Sequence, residues 1–202
     1  MKENNWNKIP DMERIEKTMK SLNENGIKTY FVKNEGEANK KILEIIPENS
    51  EVMTMTSVTL DNIGILKEIN ESGRYDSVRN KLNTIDRQIH WREMQKLGAA
   101  PEWAIGSVHA VTEDGKILIA SNSGSQLPAH SFGADKVLFV VGVQKIVKDI
   151  DDAMKRVYEY SLPLESERAK KAYGVDGSFV SKILLINREI KPDRIHVTYS
   201  MG

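Results

Sequence analysis

The sequence predicts an α/β protein with a mainly parallel sheet that is covered by helices on both faces. Strand-like segments alternate with amphipathic helical segments of about 10–15 residues, which is the pattern of βαβ units. Residues 137–141 form a continuous apolar, β-branched run, as expected for a strand buried on both faces. The chain has 202 residues, of which 40% are hydrophobic and 29% charged, so it is long enough for one domain with a sizeable core.

The first half of the chain alternates helix and strand. Apolar residues at helical spacing predict a first helix that Gly26 is placed to end, and Pro47 stops a second one. The predicted order is helix, strand, helix, strand, helix and helix, over residues 12–22, 27–33, 38–46, 52–56, 60–69 and 84–97.

The second half contains a predicted β-hairpin. Alternating apolar residues between 103 and 120 are interrupted by a Glu113-Asp114-Gly115 turn. A buried strand, two helices and two closing strands follow, over residues 137–141, 150–157, 163–174, 183–186 and 194–198.

Composition excludes several classes of function. The 29 basic and 29 acidic residues balance and are interleaved, so the chain has no basic field for nucleic acid or an anionic membrane. It has no cysteine, which excludes disulfides, thiolate catalysis and cysteine-held iron–sulfur clusters. The four histidines are dispersed and give no recognisable metal set. A polar start and the lack of an apolar run near the ~20 residues that span a bilayer predict a cytoplasmic protein.

Four segments are candidates for a ligand site. Ligands of open α/β sheets bind beyond the carboxyl ends of the strands, at a topological switch point. The segments that follow predicted strands in this way are 34–36, 56–59, 121–130 and 142–145. No G-x-G-x-x-G or Walker-type phosphate loop is present, so a dinucleotide fingerprint is not supported.

The first group of candidate ligand-binding residues leaves a strand and enters a helix. Thr56, Ser57 and Thr59 offer hydroxyls beside free backbone N–H groups, which suits a phosphate or carboxylate. The alternative is that Ser57 or Thr59 only caps the helix.

A polar run after the hairpin is the second group. It suits a hydroxylated or phosphorylated small molecule, although a solvated loop is the alternative. Its candidate residues are Asn122, Ser123, Gly124, Ser125 and Gln126, with His130 flanking the same cavity.

The third group follows the buried strand. Lys145 can meet an anionic ligand there, with Gln144 as a neutral partner and Gly142 in the same loop. The alternative is an ordinary surface lysine.

His109 and Glu113 are the candidate catalytic residues. They lie on the same side of an alternating strand and can form an acid–base pair if the strand stays regular. A histidine hydrogen-bonded in place and a carboxylate that belongs only to the turn are the alternatives.

Four motifs in order, residues 57–65, 107–115, 140–147 and 151–156, resemble the LUD-domain family, which includes the lactate-utilisation protein C subunits. The resemblance implies a three-layer α/β/α sandwich like that of ribose-5-phosphate isomerase, glucosamine-6-phosphate deaminase and CoA transferases. It implies one LUD-like domain over residues 1–202, with an N-terminal helix at about 11–25 packed on or flanking it.

The resemblance also carries site residues. Ser57 and Thr59 match the family's Ser-x-Thr-Leu turn, and Gly142 and Lys145 match its Gly-x-x-Lys loop. The family's Thr-Glu-x-Gly segment is matched by Thr112, Glu113 and Gly115. Two departures are Gln144, where many members have asparagine, and the missing Gly-Asn-Arg element after the hairpin.

The resemblance implies an accessory component of the oxidation of lactate to pyruvate, with a cleft for a small anion bearing phosphate or carboxylate. Because the chain has no cysteine, the iron–sulfur centres would reside in oxidoreductase partner subunits. The alternatives are a stand-alone enzyme acting on a phosphorylated sugar, nucleotide or CoA-type substrate, and a non-catalytic small-molecule sensor.

Overall fold

The computed structural model describes residues 6–201, which form ten strands and eight α-helices. The strands are β1 (Lys28–Val32), β2 (Glu51–Thr54), β3 (Asp76–Ser77), β4 (Trp103–Gly106), β5 (Ala110–Thr112), β6 (Ile117–Ser121), β7 (Lys136–Gly142), β8 (Ile146–Val147), β9 (Lys182–Ile186) and β10 (Ile195–Ser200). The helices are α1 (Met12–Glu24), α2 (Glu35–Ile45), α3 (Val58–Asn62), α4 (Ile65–Glu71), α5 (Val78–Thr84), α6 (Trp91–Ala99), α7 (Ile150–Arg156) and α8 (Leu162–Tyr173).

The main sheet is entirely parallel, with strand order β1-β10-β7-β4-β2-β3. Its central strand β7 alternates between two cores: Phe139 faces one and Leu138 and Val140 face the other. One core lies against α2, α3 and α4, and the opposite core contains α1, α5 and a second sheet. The predicted α/β architecture, with a mostly parallel sheet between helices, is confirmed.

The predicted hairpin is also confirmed, and it belongs to a separate four-stranded sheet of order β8-β5-β6-β9. Strands β5 and β6 pair antiparallel, with Ala110 opposite Leu118 and Val111 opposite Ile117. Gly115 takes φ +81° in the turn. The second sheet packs one face on the main core and the other on α7.

Three helix predictions need correction. The predicted helix at 60–69 is two helices, because Gly64 interrupts it with φ +73°. The helix predicted at 84–97 is confirmed only from Trp91 onwards, in α6, because α5 ends at Thr84 and residues 85–90 are not helical. The helices predicted at 150–157 and 163–174 are joined without a break by a π-helical turn, Val157–Ser161.

Among residues 6–201, no helix is both long enough and apolar enough to cross a membrane.

Replacing Gly26 with alanine will lower the free energy of unfolding by about 2 kcal/mol or more, since it adds backbone strain and a clash. Gly26 has φ +80°, and a Cβ there would overlap the backbone carbonyl oxygen of Glu189. Gly64→Ala is the matched control, because its φ is also positive but a Cβ would meet nothing within 4 Å. Urea unfolding measures both variants, and equal losses would contradict the role of the Glu189 contact.

Candidate functional site

A cluster of polar side chains lies where three neighbouring strands of the main sheet end. Ser107 follows β4, Lys145 follows β7, and Thr59 lies in the helix that follows β2. The Lys145 Nζ lies 2.8 Å from the Ser107 Oγ and 3.2 Å from the Thr59 Oγ1. The Ser107 hydroxyl donates in turn to the backbone oxygen of Val140, at 2.7 Å, which fixes its orientation.

Arg156 approaches this cluster from α7. Its guanidinium donates through Nη1 to the backbone oxygen of His109 and, at 3.2 Å, to the Ser161 Oγ. The ring of Tyr160 lies 5.0 Å away and packs against the guanidinium. Only 3% of Arg156 is exposed, and its buried Nε has no hydrogen-bond partner among the described residues.

His109 accepts from Arg156 through its backbone oxygen and lies within electrostatic range of both Lys145 and Arg156. Its Nδ1 accepts a hydrogen bond from the backbone N–H of Ala120, at 3.1 Å. The neutral ring therefore carries its proton on Nε2 and can act there as a donor. We name Lys145, Arg156, Ser107, Thr59 and His109 the edge cluster.

Burial dominates the electrostatics of the edge cluster. It lowers the pKa of Lys145 to about 7, with a further contribution from the charge of Arg156. Burial also lowers the pKa of Arg156 to about 10 and that of His109 to about 4, where Lys145 and Arg156 add their repulsion. A neutral histidine and two desolvated cationic groups thus share one site.

No carboxylate of residues 6–201 forms an ion pair with Lys145 or Arg156 at the 4.0 Å limit. Glu165 lies near His109 and raises its pKa slightly, but both of its oxygens accept hydrogen bonds from Arg168, at 2.7 Å each. Buried cations are normally paired, because an unpaired buried charge is costly. The edge cluster therefore has a local excess of positive charge.

The structure brings together Thr59 and Lys145, two of the residues that the sequence suggested for an anion site. Ser57 and Thr56, which precede Thr59, do not join them. Ser57 caps α3, with its Oγ accepting from the Leu60 N–H at 3.4 Å. Thr56 is exposed beside it.

The polar loop after β6 is tied mainly to itself and to β9. The Ser121 Oγ bonds to Gln126 and accepts from the Gly124 N–H, and Ser123 and Ser125 bond to each other. The Asn122 side chain accepts from Ser181. These contacts occupy, within the fold, the three serine hydroxyls and the side-chain oxygens of Asn122 and Gln126.

In the loop between β7 and β8, the side chains of Gln144 and Lys145 lie in different surroundings. Gln144 folds over Gly142, so that a Cβ on Gly142 would overlap the Gln144 amide. Gln144 also lines a groove of about 540 Å³ beside Trp6, Arg14 and Ile146, whereas Lys145 belongs to the edge cluster.

His130 lies in the core rather than in a ligand cavity. It is 1% exposed in the π-helical turn Ala129–Gly133, and its ring packs 4.9 Å from that of Phe139. Burial lowers its pKa to about 4, and its Nδ1 has no partner among residues 6–201.

Acid will destabilise the protein through His130. Its ordinary pKa is 6.5, so below that pH the unfolded chain takes up a proton that the folded chain excludes until about pH 4. The stabilisation lost over this window is about 3 kcal/mol. We expect His130→Leu to flatten the fall in unfolding free energy between pH 7 and pH 4, as measured in urea. An unchanged slope would show that His130 does not titrate in this way.

The structure does not bring Glu113 to His109. The Glu113 carboxylate pairs with Arg14 and Lys17 of α1, at 2.8 and 2.9 Å, while His109 faces the edge cluster at the other end of β5. Thr112 is buried in the turn, where it bonds to Asp114 and to the backbone N–H of Lys116. An acid–base pair of Glu113 and His109 therefore does not form, because the Glu113 carboxylate forms ion pairs with two residues of α1.

Glu113→Gln will cost less than about 1 kcal/mol of stability, since its partners are partly exposed. The affinity of the Glu113→Gln protein for a small anionic ligand will match that of the unaltered protein, because Glu113 does not contact the edge cluster. Calorimetric titration with the ligand checks this, and a tenfold or greater loss of affinity would contradict the placement.

Sequence reasoning missed Ser107 and Arg156 as site residues. Ser107 directly follows β4 and could have been found on that ground. Arg156 shares a buried helical face with Ala153 and Val157, which are both buried. A lone arginine on an apolar helix face is the available signal.

Comparison with known proteins identifies the family. The model of the LUD domain matches residues 15–198. The chain belongs to the LUD-domain family. Its match covers all five members of the edge cluster, so the site lies within the family's domain.

The chain is also similar to solved structures. A DUF162 family protein from Deinococcus radiodurans is similar with a TM-score of 0.57 and 11% identity, over 93% of this chain and 96% of that one. The eIF2B beta protein of Chaetomium thermophilum is similar with a TM-score of 0.40 and 18% identity, over 72% of this chain and 46% of that one. Comparison with curated protein sequences gives no match.

Proposed function

We propose that this LUD-domain protein binds a small carboxylate at the edge cluster and serves as an accessory component of lactate oxidation to pyruvate. The observation that carries the proposal is that no carboxylate of the described residues pairs with the buried guanidinium of Arg156 or with the amine of Lys145. A bound anion would supply the missing charge.

The chemistry of the cluster suits a 2-hydroxy or 2-oxo acid. The free Nε of Arg156 is a donor for a carboxylate oxygen, and a guanidinium is the preferred partner of that group. His109 offers its Nε2–H to a second oxygen on the adjacent carbon. Ser107, Thr59, Lys145 and His109 are partly exposed, so a small molecule can reach these four side chains, and its carboxylate has to uncover the buried Nε of Arg156 as it binds.

Calorimetric titration with L-lactate, pyruvate and propionate tests the binding. Propionate has the carboxylate but no oxygen on its second carbon, so we expect it to bind at least about tenfold more weakly, which corresponds to one lost hydrogen bond. If neither lactate nor pyruvate binds, the proposal fails.

The lactate role rests on family membership together with this chemistry. Electron transfer would then take place in iron–sulfur oxidoreductase subunits, because the chain has no cysteine to hold a cluster. Recovery of such subunits with the protein from its native cell, and loss of growth on lactate after deletion, are the expected results. Unimpaired growth on lactate would contradict the role.

A second candidate is a stand-alone enzyme or sensor for a phosphorylated sugar, nucleotide or CoA-type molecule. The hydroxyls of Ser107 and Thr59, which both bond to the Lys145 Nζ, favour this candidate, because hydroxyl and amine groups together suit phosphate oxygens. Titration with inorganic phosphate distinguishes the two. Phosphate binding tighter than pyruvate binding would favour this candidate, and conversion of a phosphorylated ligand would favour the enzyme over the sensor.

A further inference from the structure

We propose that Lys145 is a nucleophile that forms an imine with the carbonyl group of a small 2-oxo acid whose carboxylate is held by Arg156. The inference rests on the proposed carboxylate site and adds a covalent step to it.

The hydrogen bonds of Lys145 fit a neutral amine. Among residues 6–201, two side-chain oxygens lie within hydrogen-bond distance of its Nζ, those of Ser107 and Thr59. An ammonium group has three N–H donors and no lone pair, so one donor would stay without a protein acceptor. A neutral amine has two N–H groups, which these oxygens satisfy, and a lone pair left for attack on a carbonyl carbon.

The surroundings of Lys145 favour the same state. A lysine becomes nucleophilic at neutral pH when it is desolvated or lies next to another cation. The charged and titratable groups around Lys145 are Arg156 on α7, the neutral His109 at the start of β5, and Glu165 on α8. Arg168 neutralises Glu165, so no free carboxylate of the described residues is left to hold Lys145 in its charged form.

Arg156 selects the class of carbonyl compound. Its guanidinium is fixed by His109, Ser161 and Tyr160, while its buried Nε remains without a partner within the described part of the chain. Because the charge of Arg156 acts on Lys145, we infer that a carboxylate held by Arg156 has its adjacent carbon near the Lys145 amine. A 2-oxo acid has its carbonyl group at that carbon, and a hydroxy acid does not.

The step is balanced without a further reagent. The Lys145 lone pair forms a bond to the carbonyl carbon as the carbon–oxygen π bond breaks. The two amine protons pass to that oxygen. The Ser107 and Thr59 hydroxyls accept hydrogen bonds from the two N–H groups, so they can relay these protons. The oxygen leaves as water and a carbon–nitrogen double bond remains. The Nε2–H of His109 is available to stabilise the oxygen as it gains charge.

Reductive trapping tests this inference. The full chain is incubated with pyruvate and sodium cyanoborohydride, which delivers hydride to an imine carbon. We expect one adduct whose added mass is that of pyruvic acid less one oxygen atom, located by peptide mapping on Lys145. Modification should be at least about tenfold greater there than at Lys148, an exposed lysine three residues away.

Matched variants and ligands complete the test. Lys145→Arg should lose the adduct, Lys148→Arg should keep it, and L-lactate should give none because it has no carbonyl group. If pyruvate binds in the calorimeter but no adduct forms at Lys145, the imine inference is overturned and the carboxylate site stands. Adducts spread evenly over surface lysines also overturn it. If pyruvate does not bind at all, the proposed function and the inference both fail.

Discussion

Replacing Lys145 with methionine will raise the stability of the folded protein at pH 7 by about 2 kcal/mol and abolish the binding of pyruvate. Methionine has nearly the shape of the lysine stem, so the packing survives. The cost of desolvating the lysine amine disappears, and with it the amine that attacks the carbonyl carbon of the ligand. A gain in stability together with a loss of binding is expected for a residue that binds the ligand but lowers the free energy of unfolding.

The pH dependence of the same variant isolates the lysine. The pKa of Lys145 is lowered from 10.5 to about 7, so above pH 7 the unfolded chain holds a proton that the folded chain has released. Stability therefore rises with pH in this window for the unaltered protein. Lys145→Met should lack that rise, and Lys148→Met should keep it. Urea unfolding between pH 7 and pH 10 measures the difference, and identical slopes would show that Lys145 remains charged in the fold.

Replacing Arg156 with lysine will weaken pyruvate binding by at least about a hundredfold, which is about 3 kcal/mol. The substitution keeps the charge but removes the planar fork, and with it the Nε donor. The new lysine at position 156 would offer the anion a single ammonium group in place of the guanidinium. Structural damage is limited, because an ammonium group can still donate to the His109 oxygen that Arg156 holds.

Arg74→Lys is the matched control for this variant. Arg74 is partly exposed and pairs with Glu48 and Glu68, away from the edge cluster. Calorimetry should give it the affinity of the unaltered protein. Thermal unfolding of Arg156→Lys verifies that the domain still folds. Undiminished pyruvate binding by a folded Arg156→Lys protein would mean that the carboxylate binds elsewhere.

Much of the fold could be predicted from sequence because local patterns determine it. Buried parallel strands such as 136–142 have continuous apolar runs, and helices such as Met12–Glu24 have one apolar face. The second sheet could not be predicted in this way, because pairing β9 with β6 joins residues more than 60 positions apart. The helix Val78–Thr84 was also missed, although Ser77 caps it with a hydroxyl that accepts from the Asn80 N–H.

The candidate site was predictable where it lies in strand-end turns. Thr59 and Lys145 follow parallel strands, and the carboxyl ends of such strands meet at one edge. Arg156 reaches this edge from α7, which packs on the second sheet, so its position depends on tertiary packing. Glu113 was misleading for a related reason: strand alternation places it on one side with His109, but α1 supplies two cations that only the folded chain brings to it.

A crystal structure of the protein with pyruvate, without reductant, tests the central claim most directly. The account predicts the pyruvate carboxylate within hydrogen-bond distance of the Arg156 Nε, and its carbonyl carbon beside the Lys145 Nζ. A pyruvate bound only in the groove beside Trp6 and Gln144, with a protein oxygen on the Arg156 Nε, would contradict it.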